Sequence, residues 1–114
     1  MQCLQLTRGE PPATTVDVTL SGNLNSSDCA VYIDDVRYKT AGTVLNAKKI
    51  KIVYMSTASS GQYSKITLNG EVVSTAGTVK VTYQLDLTAN CAVNVVRNGS
   101  GGYWTYDIDI TMPA

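Results

Sequence analysis

Hydrophobic and polar residues alternate with a period of two through several segments of the chain. The alternation is most regular over residues 79–88 and 103–112, and it also runs through residues 15–20 and 49–54. Because successive side chains of a β-strand point to opposite faces, each segment is predicted to be a strand with one buried face. No segment shows sustained helical spacing, so the pattern predicts an all-β protein.

The same alternation predicts which side chains form the core. The residues expected to point inward are Val16, Val18, Leu20, Ile50, Ile52, Tyr54, Val79, Val81, Tyr83, Leu85, Leu87, Trp104, Tyr106, Ile108, Ile110 and Met112. Asp107 and Asp109 occupy alternate positions of the last strand, so we expect them on its solvent face.

Two tight turns and a short repeat organise the middle of the chain. Thr-Ala-Gly-Thr-Val occurs at residues 40–44 and again at residues 75–79. Asp34-Asp35 precedes the first copy and Asn69-Gly70 the second, and both pairs favour the left-handed backbone of a two-residue hairpin turn. We therefore expect two related hairpins, each left through a loop of small residues.

Two further segments are predicted to be loops from their composition. Residues 56–61 are rich in Ser, Thr and Ala and end in Gly, which is typical of a flexible connection. Residues 97–102 contain three glycines. They lead into a strand and lack the Lys-Ser/Thr of a phosphate-binding loop, so we expect a flexible loop there as well.

Seven to nine short strands separated by frequent turn signals predict an antiparallel β-sandwich, with a small β-barrel as the alternative. We assign residues 14–114 to this single domain. Residues 1–13 are predicted to be an N-terminal arm, because Arg8-Gly9-Glu10-Pro11-Pro12 is expected to interrupt any strand. The arm either docks on a neighbouring subunit or is a frayed terminus.

Charge and composition argue against several functions. Nine Lys and Arg balance nine Asp and Glu over 114 residues, so no electrostatic field favours nucleic acid or an anionic membrane. The chain has no histidine, which removes Ser-His-Asp and Cys-His catalytic arrangements. Neither Asp34-Asp35 nor the pair Asp107 and Asp109 belongs to a calcium-binding loop pattern. We expect no enzyme activity, no metal and no cofactor.

The cysteines and the first residues bear on the compartment. Cys29 and Cys91 each begin a strand-like run, and we expect both to be buried, reduced side chains, with a disulfide between them as the alternative. Residues 1–20 lack an uninterrupted apolar core, so we expect no signal peptide. No segment approaches the roughly 18 apolar residues of a membrane span.

Two tyrosines are the candidate contact residues. Tyr103 is expected to point outward from the last strand, and Tyr63 flanks a loop. Exposed tyrosines beside Asn or Asp occur in protein interfaces and in sugar-binding platforms, and they also occur as plain surface residues. The pattern leaves these three interpretations open.

The order of strands and motifs resembles the small immunoglobulin-like domains of tailed-bacteriophage virion proteins. The resemblance covers residues 15–112 and rests on the Tyr-Ile-Asp-Asp hairpin, the Thr-Ala-Gly-Thr loop, the Ile-Thr-Leu-Asn-Gly hairpin, the Cys-Ala-Val-Asn-Val strand and the aromatic final strand. It implies an immunoglobulin-like sandwich and a head-decoration, neck or tail protein. Such a protein is made in the host cytoplasm, carries reduced cysteines and contacts capsid or tail proteins, often as a homo-oligomer.

No catalytic or ligand-binding residue is implied by this resemblance. The alternative function is a carbohydrate-binding or cell-surface adhesion module that contacts a host surface glycan through Tyr63 and Tyr103.

Overall fold

The computed structural model describes residues 16–58 and 61–113, which form ten β-strands and no helix. The strands are β1 (Val16–Gly22), β2 (Cys29–Ile33), β3 (Val36–Tyr38), β4 (Gly42–Ala47), β5 (Lys49–Tyr54), β6 (Ser64–Leu68), β7 (Glu71–Ala76), β8 (Val81–Asp86), β9 (Cys91–Ser100) and β10 (Tyr103–Thr111). The predicted arm, residues 1–13, lies outside the described residues. None of the described residues belongs to a helix that could span a membrane.

Two separate sheets make up the fold. The larger has the order β4-β1-β9-β10-β6-β7, and the smaller has the order β3-β2-β5-β8. The all-β sandwich is confirmed, and its arrangement is consistent with an immunoglobulin-like fold. The described residues alone form ten strands, above the predicted seven to nine. Two pairings are also parallel, because β1 lies beside β9 and β6 beside β10, with Val18 opposite Cys91 and Ile66 opposite Ile108.

The facing surfaces of the two sheets share one hydrophobic core. Ile50, Ile52 and Tyr54 of β5 are fully buried, as are Ile108 and Ile110 of β10. The period-two prediction is therefore confirmed for both strands. Tyr83 and Trp104 also point inward, where they are partly buried and pack against the core at its margin.

The inward assignment of Val79 is wrong, because 75% of its surface is exposed. Strand β8 begins only at Val81, and residues 77–79 form a bend before it. The alternation of hydrophobic and polar residues therefore starts at Val79, two residues before the backbone enters β8.

Both predicted hairpin turns are confirmed. Asp34 and Asp35 have φ values of 50° and 68°, and Asn69 and Gly70 have values of 51° and 88°. Two successive left-handed residues are the mark of a type I′ turn. The strands that return from these turns, β3 and β7, are edge strands of their respective sheets, so the two hairpins occupy related places.

The repeated pentapeptide has two different structures. In the first copy Thr40 and Ala41 form a loop, and β4 starts at Gly42. In the second copy Thr75 and Ala76 belong to β7, and the bend follows them. The expectation that each copy is a loop is therefore wrong for residues 42–43 and for residues 75–76. Strand β4, which pairs with β1 at the sheet edge, was not predicted.

Cys29 and Cys91 are both free and buried, so the disulfide alternative is wrong. Burial raises the pKa of the Cys29 thiol to about 12, and the Asp28 carboxylate adds to this effect while Arg37 opposes it. Burial also raises the pKa of the Cys91 thiol. Both thiols are therefore held in the neutral form in which a cysteine packs as a small hydrophobic side chain.

Candidate functional site

Strands β9 and β10 form a hairpin that is longer than the core it covers. Their pairing runs from Ala92 opposite Thr111 to Ser100 opposite Tyr103. In β9 the side chains of Cys91, Val93 and Val95 are buried, whereas every residue from Val96 to Ser100 is exposed. The far half of the hairpin therefore projects beyond the two-sheet core. The predicted loop at residues 97–102 is wrong for residues 97–100, which are strand, and only residues 101–102 form the connection.

Glycines permit this projection to be a hairpin. Gly101 and Gly102 form the tight turn with φ values of 64° and 85°. Gly99 has a φ of 121°, and a Cβ atom placed on it would lie 2.0 Å from the carbonyl oxygen of Tyr103. Only glycine fits there without displacing the backbone. The three glycines, which in the sequence predict a loop, are required here by the backbone conformations of the hairpin.

Side chains stiffen the projecting half on its inner side. The Arg97 guanidinium lies over the Trp104 ring, 4.2 Å from its centroid. The Arg97 backbone N–H donates to the Asn23 side-chain oxygen at 3.2 Å, which ties the strand to the turn after β1. A cation–π contact of this kind is worth about 0.5–1 kcal/mol at an exposed site.

The segment after β5 supports the projecting half on its β10 side. The Thr57 N–H donates to the Trp104 carbonyl at 2.9 Å, and the Trp104 N–H donates to Thr57 Oγ1 at 2.7 Å. Thr57 Oγ1 also donates to the Gly102 carbonyl at 3.2 Å. Ser56 and Ala58 are buried. Residues 56–58 lie in no strand, as the predicted loop at residues 56–61 requires, but they are packed against β10 and do not form the flexible connection that was expected.

Tyr63 and Tyr103 are the large exposed side chains at this end, with 59% and 65% of their surfaces accessible. The outward direction predicted for Tyr103 is confirmed, and Tyr63 lies beside a loop as predicted and is exposed as well. Tyr63 precedes the buried Ser64, whose hydroxyl accepts from the Tyr106 N–H at 2.8 Å and donates to the Met55 carbonyl at 3.0 Å. The backbone beneath Tyr63 is therefore anchored to β10.

The parallel register of β6 and β10 brings the two tyrosines to the same end of the larger sheet. Lys65 lies opposite Asp107, so Tyr63 falls near Thr105 and one two-residue step from Tyr103. Strand rise and spacing put the two tyrosine Cα atoms on the order of 10 Å apart. We call the outer-face residues Tyr63, Lys65, Tyr103, Thr105 and Asp107 the tyrosine end.

The aspartates do not converge on a ligand. Asp107 accepts from the Asn98 side-chain amide at 2.9 Å, and Asp109 accepts from the Thr67 hydroxyl. Both lie on the outer face of the sheet, as predicted. Asp34 accepts from the backbone N–H groups of Lys48 and Lys49. Within residues 16–58 and 61–113, no three His, Cys, Asp or Glu side chains are grouped as a metal site.

An open depression of about 570 Å³ lies at the opposite end of the same sheet. Its lining includes Thr19, Thr43, Ala92 and Thr111. The depression forms where the small Ala92 side chain stands between threonines of the neighbouring strands. Small side chains line it, in contrast to the large exposed rings of the tyrosine end.

Sequence reasoning found the two tyrosines but missed what supports them. The period-two pattern gave the outward direction of Tyr103, because the strand pattern extends to that residue. The role of Thr57 depends on contacts with Trp104 across a separation of 47 residues, and no local signal indicates it. The Arg97–Trp104 contact depends on the long β9–β10 hairpin. That hairpin was not predicted, because the three glycines in residues 97–102 indicated a loop.

No protein-family model, curated protein or solved structure matches this chain. The resemblance to phage virion domains therefore stays a prediction drawn from the residues.

Proposed function

We propose that this chain is a non-enzymatic structural or accessory protein of a bacteriophage virion, in its head decoration, neck or tail. It acts through protein–protein contacts made by the tyrosine end. The observation that carries the proposal is the exposure of Tyr63 and Tyr103, at 59% and 65%, on a backbone fixed by hydrogen bonds.

Rigidly mounted tyrosines suit a protein interface. A tyrosine has only two side-chain torsions, so it buries a large ring at a low cost in conformational entropy. The Thr57 contacts and the Ser64 anchor fix the backbone on which the rings stand. Because this backbone is already ordered, less conformational entropy is lost when a partner binds, which favours affinity.

The virion part of the proposal is supported by the resemblance of residues 15–112 to phage immunoglobulin-like domains. The same resemblance implies reduced cysteines. The free, buried state of Cys29 and Cys91 agrees with that implication. Symmetric virion shells and tails present the same protein surface many times. Each copy of this chain could bind one of these surfaces through its tyrosine end.

A glycan-binding module is the competing candidate. Tyr103 stands one step along β10 from Thr105, which pairs with Asn98, and Asp107 follows. An exposed ring beside amide and carboxylate oxygens can stack on a sugar and hydrogen-bond its hydroxyls. The proposal favours protein contacts, and glycan binding is an outcome that the test below distinguishes.

The test begins with particles purified from cells that carry the coding sequence. Mass spectrometry and immunogold labelling are expected to find the chain at one fixed position on each particle. Absence of the chain from purified particles would contradict the virion role. Binding of the purified chain to sugars on a glycan array, lost in Tyr103→Ala, would instead support the adhesion alternative.

Incorporation of variants then tests the tyrosine end. The double variant Tyr63→Ala/Tyr103→Ala is expected to be incorporated at least about tenfold less than wild type, because interface tyrosines are frequent hot spots. Tyr32→Ala is the matched control. Tyr32 lies on the outer face of the other sheet, beneath the Lys51 ammonium at 4.7 Å from its ring centroid. Equal loss in both variants would argue against a specific role for the tyrosine end.

A further inference from the structure

We propose that strand β8 pairs antiparallel with β8 of a second copy of this chain, so that the two smaller sheets join into one continuous sheet. The inference goes beyond the proposed function and does not depend on it, because the tyrosine end is built on strands of the larger sheet. It assigns a second interaction surface, its partner and the register of the contact.

Four strands lie at the edges of the two sheets, and three of them carry features that hinder further pairing. Strand β3 has only three residues. The pairing of β4 with β1 and that of β7 with β6 each contain a register shift. Short strands and bulges are common means by which proteins protect a sheet edge from a further strand.

Strand β8, the fourth edge, has neither feature. It pairs with β5 without interruption from Val81 to Asp86, and it contains neither Pro nor Gly. Its one charged residue, Asp86, stands at its end. Among the strands that the structure describes, none pairs with its other side. An edge this regular is a template for a further strand.

The hydrogen bonds to β5 determine which backbone groups of β8 point outward. The Leu87 N–H donates to the Lys48 carbonyl at 2.8 Å, in continuation of the β5–β8 register. Because bonded and non-bonded pairs alternate along an antiparallel ladder, every second residue counted back from Leu87 bonds to β5. Thr82 and Gln84 fall between these residues, so their N–H and C=O groups point away from β5 toward the open edge.

The apolar side chains of β8 are incompletely covered within one copy. Val81, Tyr83 and Leu85 pack against the margin of the core and remain partly exposed. Their neighbours on one side are the β5 side chains Tyr54, Ile52 and Ile50, which are fully buried. A strand added on the other side of β8 would cover them in the same way.

Two copies of β8 related by a two-fold axis run antiparallel, and their side chains fit with the axis at Tyr83. Val81 of each copy then lies opposite Leu85 of the other, so apolar side chains share one face. Thr82 likewise lies opposite Gln84, so their outward N–H and C=O groups exchange hydrogen bonds. The two Tyr83 residues form a non-bonded pair, in which facing side chains stand closest.

Charge selects this register. Lys80 immediately precedes β8 and Asp86 ends it, and both are exposed. With the axis at Tyr83, Lys80 of each copy lies opposite Asp86 of the other, which gives two symmetric ion pairs. With the axis at Gln84, the next register that keeps the apolar side chains on one face, neither charge lies opposite a charge.

Neither charge is paired within the described part of one copy. The ion pairs found there join Asp35 to Lys49 and Lys51. Asp86 lies opposite Lys49 in the sheet, but the Lys49 ammonium is 3.2 Å from the Asp35 carboxylate. Lys80 and Asp86 of one copy are six residues apart along an extended segment, or roughly 20 Å, so they do not reach each other.

The contact uses the same surface on both copies, so it closes on a dimer. The two four-stranded sheets become one sheet in the order β3-β2-β5-β8-β8-β5-β2-β3. Each dimer carries two tyrosine ends.

Light scattering of the full chain at rising concentration tests the inference. Wild type is expected to approach twice its monomer mass of 12.2 kDa. Thr82→Pro removes an outward N–H, which an edge strand tolerates, and should weaken dimerisation at least about tenfold. Tyr103→Ala, in the larger sheet, is the control and is expected to dimerise like wild type. A wild type that stays monomeric, or a Thr82→Pro variant that dimerises like wild type, would overturn the inference.

Two charge variants give a readout that a folding defect would not imitate. Lys80→Glu and Asp86→Lys each replace both ion pairs of the dimer with like-charge pairs, so each is expected to dimerise about fivefold more weakly than wild type. In an equimolar mixture of the two variants, every introduced charge lies opposite its complement, and mixed dimers are expected to form as strongly as wild-type dimers. A mixture that associates no better than the separate variants would contradict the inference.

This inference and the proposed function fail independently. A chain that stays monomeric and still enters particles would overturn the dimer and leave the proposed function standing. A chain that dimerises through β8 and is absent from particles would do the reverse.

Discussion

The two halves of the β9–β10 hairpin share one ladder of hydrogen bonds and differ in what lies beneath it. In the half that begins with Ala92 opposite Thr111, the side chains of Val93, Val95, Ile108 and Ile110 are buried against the other sheet. In the projecting half no residue of β9 from Val96 onward is buried. The first half is held by apolar burial, and the second by backbone pairing, glycine conformations and a few polar contacts.

This difference separates stability from association. Removing a buried side chain costs the transfer free energy of the lost atoms and leaves a cavity. Removing an exposed side chain does neither, and surface substitutions usually change stability by less than about 0.5 kcal/mol. The exposed side chains of the projecting half can therefore be those that a binding partner requires, at little cost in the stability of the fold.

Ile108→Ala is expected to have the largest effect on stability. Ile108 is fully buried at the centre of the larger sheet. The substitution should lower the free energy of unfolding by about 2–5 kcal/mol, measured by denaturant titration. Thr111→Ala, an exposed position on the same strand, is the control. A loss below about 1 kcal/mol for Ile108→Ala would mean that this half is not held by burial.

Alkaline pH should weaken the core on which the first half of the hairpin packs, through Cys29, a buried residue of β2 in the smaller sheet. Its folded pKa is about 12, against 9.0 for an ordinary thiol. Above pH 9 the unfolded chain loses this proton while the folded protein keeps it, so stability that is fully present below pH 9 falls as the pH rises toward 12.

The Cys29 contribution is expected to fall by about 1.4 kcal/mol per pH unit in that window. Denaturant titrations at pH 8 and pH 10.5 should therefore show the gap between wild type and Cys29→Ala narrowing at the higher pH. A gap that stays constant would show that the Cys29 thiol is not protected by burial.

Thr57→Val should act on the projecting half with a smaller cost. Valine keeps the shape of threonine but cannot accept from the Trp104 N–H or donate to the Gly102 carbonyl. We expect a loss of about 1–2 kcal/mol and faster hydrogen exchange of the Trp104 amide. Thr82→Val, on an exposed position of β8, is the control. Unchanged Trp104 exchange would mean that Thr57 does not brace the hairpin.

The two halves also differ in how well the sequence predicts them. Where a strand has one buried face, the period-two pattern gives its position and direction, as it does for Ile108 and Ile110. The turns at Asp34 and Asn69 were predictable as well, because few residue types accept their backbone conformation. These signals are local, and the strands and turns around the core carry them.

In the projecting half, β9 lacks such signals because it buries no side chain there. Residues 96–100 have no apolar face for a pattern to follow. Strand β4 was missed for the same reason, since only Ala47 in it is buried and Asn46 adopts a φ of 59°. Neither parallel pairing could be deduced, because each joins strands distant in sequence. Tyr63 and Tyr103 were identified as contact candidates, but their proximity depends on one of these pairings.

The most direct test measures stability and incorporation on one preparation of Tyr63→Ala/Tyr103→Ala. The account predicts a free energy of unfolding within about 0.5–1 kcal/mol of wild type, since both side chains are exposed. It predicts at the same time that the variant is incorporated into particles at least about tenfold less than wild type. Incorporation equal to that of wild type, or a loss of stability as large as that of Ile108→Ala, would contradict the separation of the two halves.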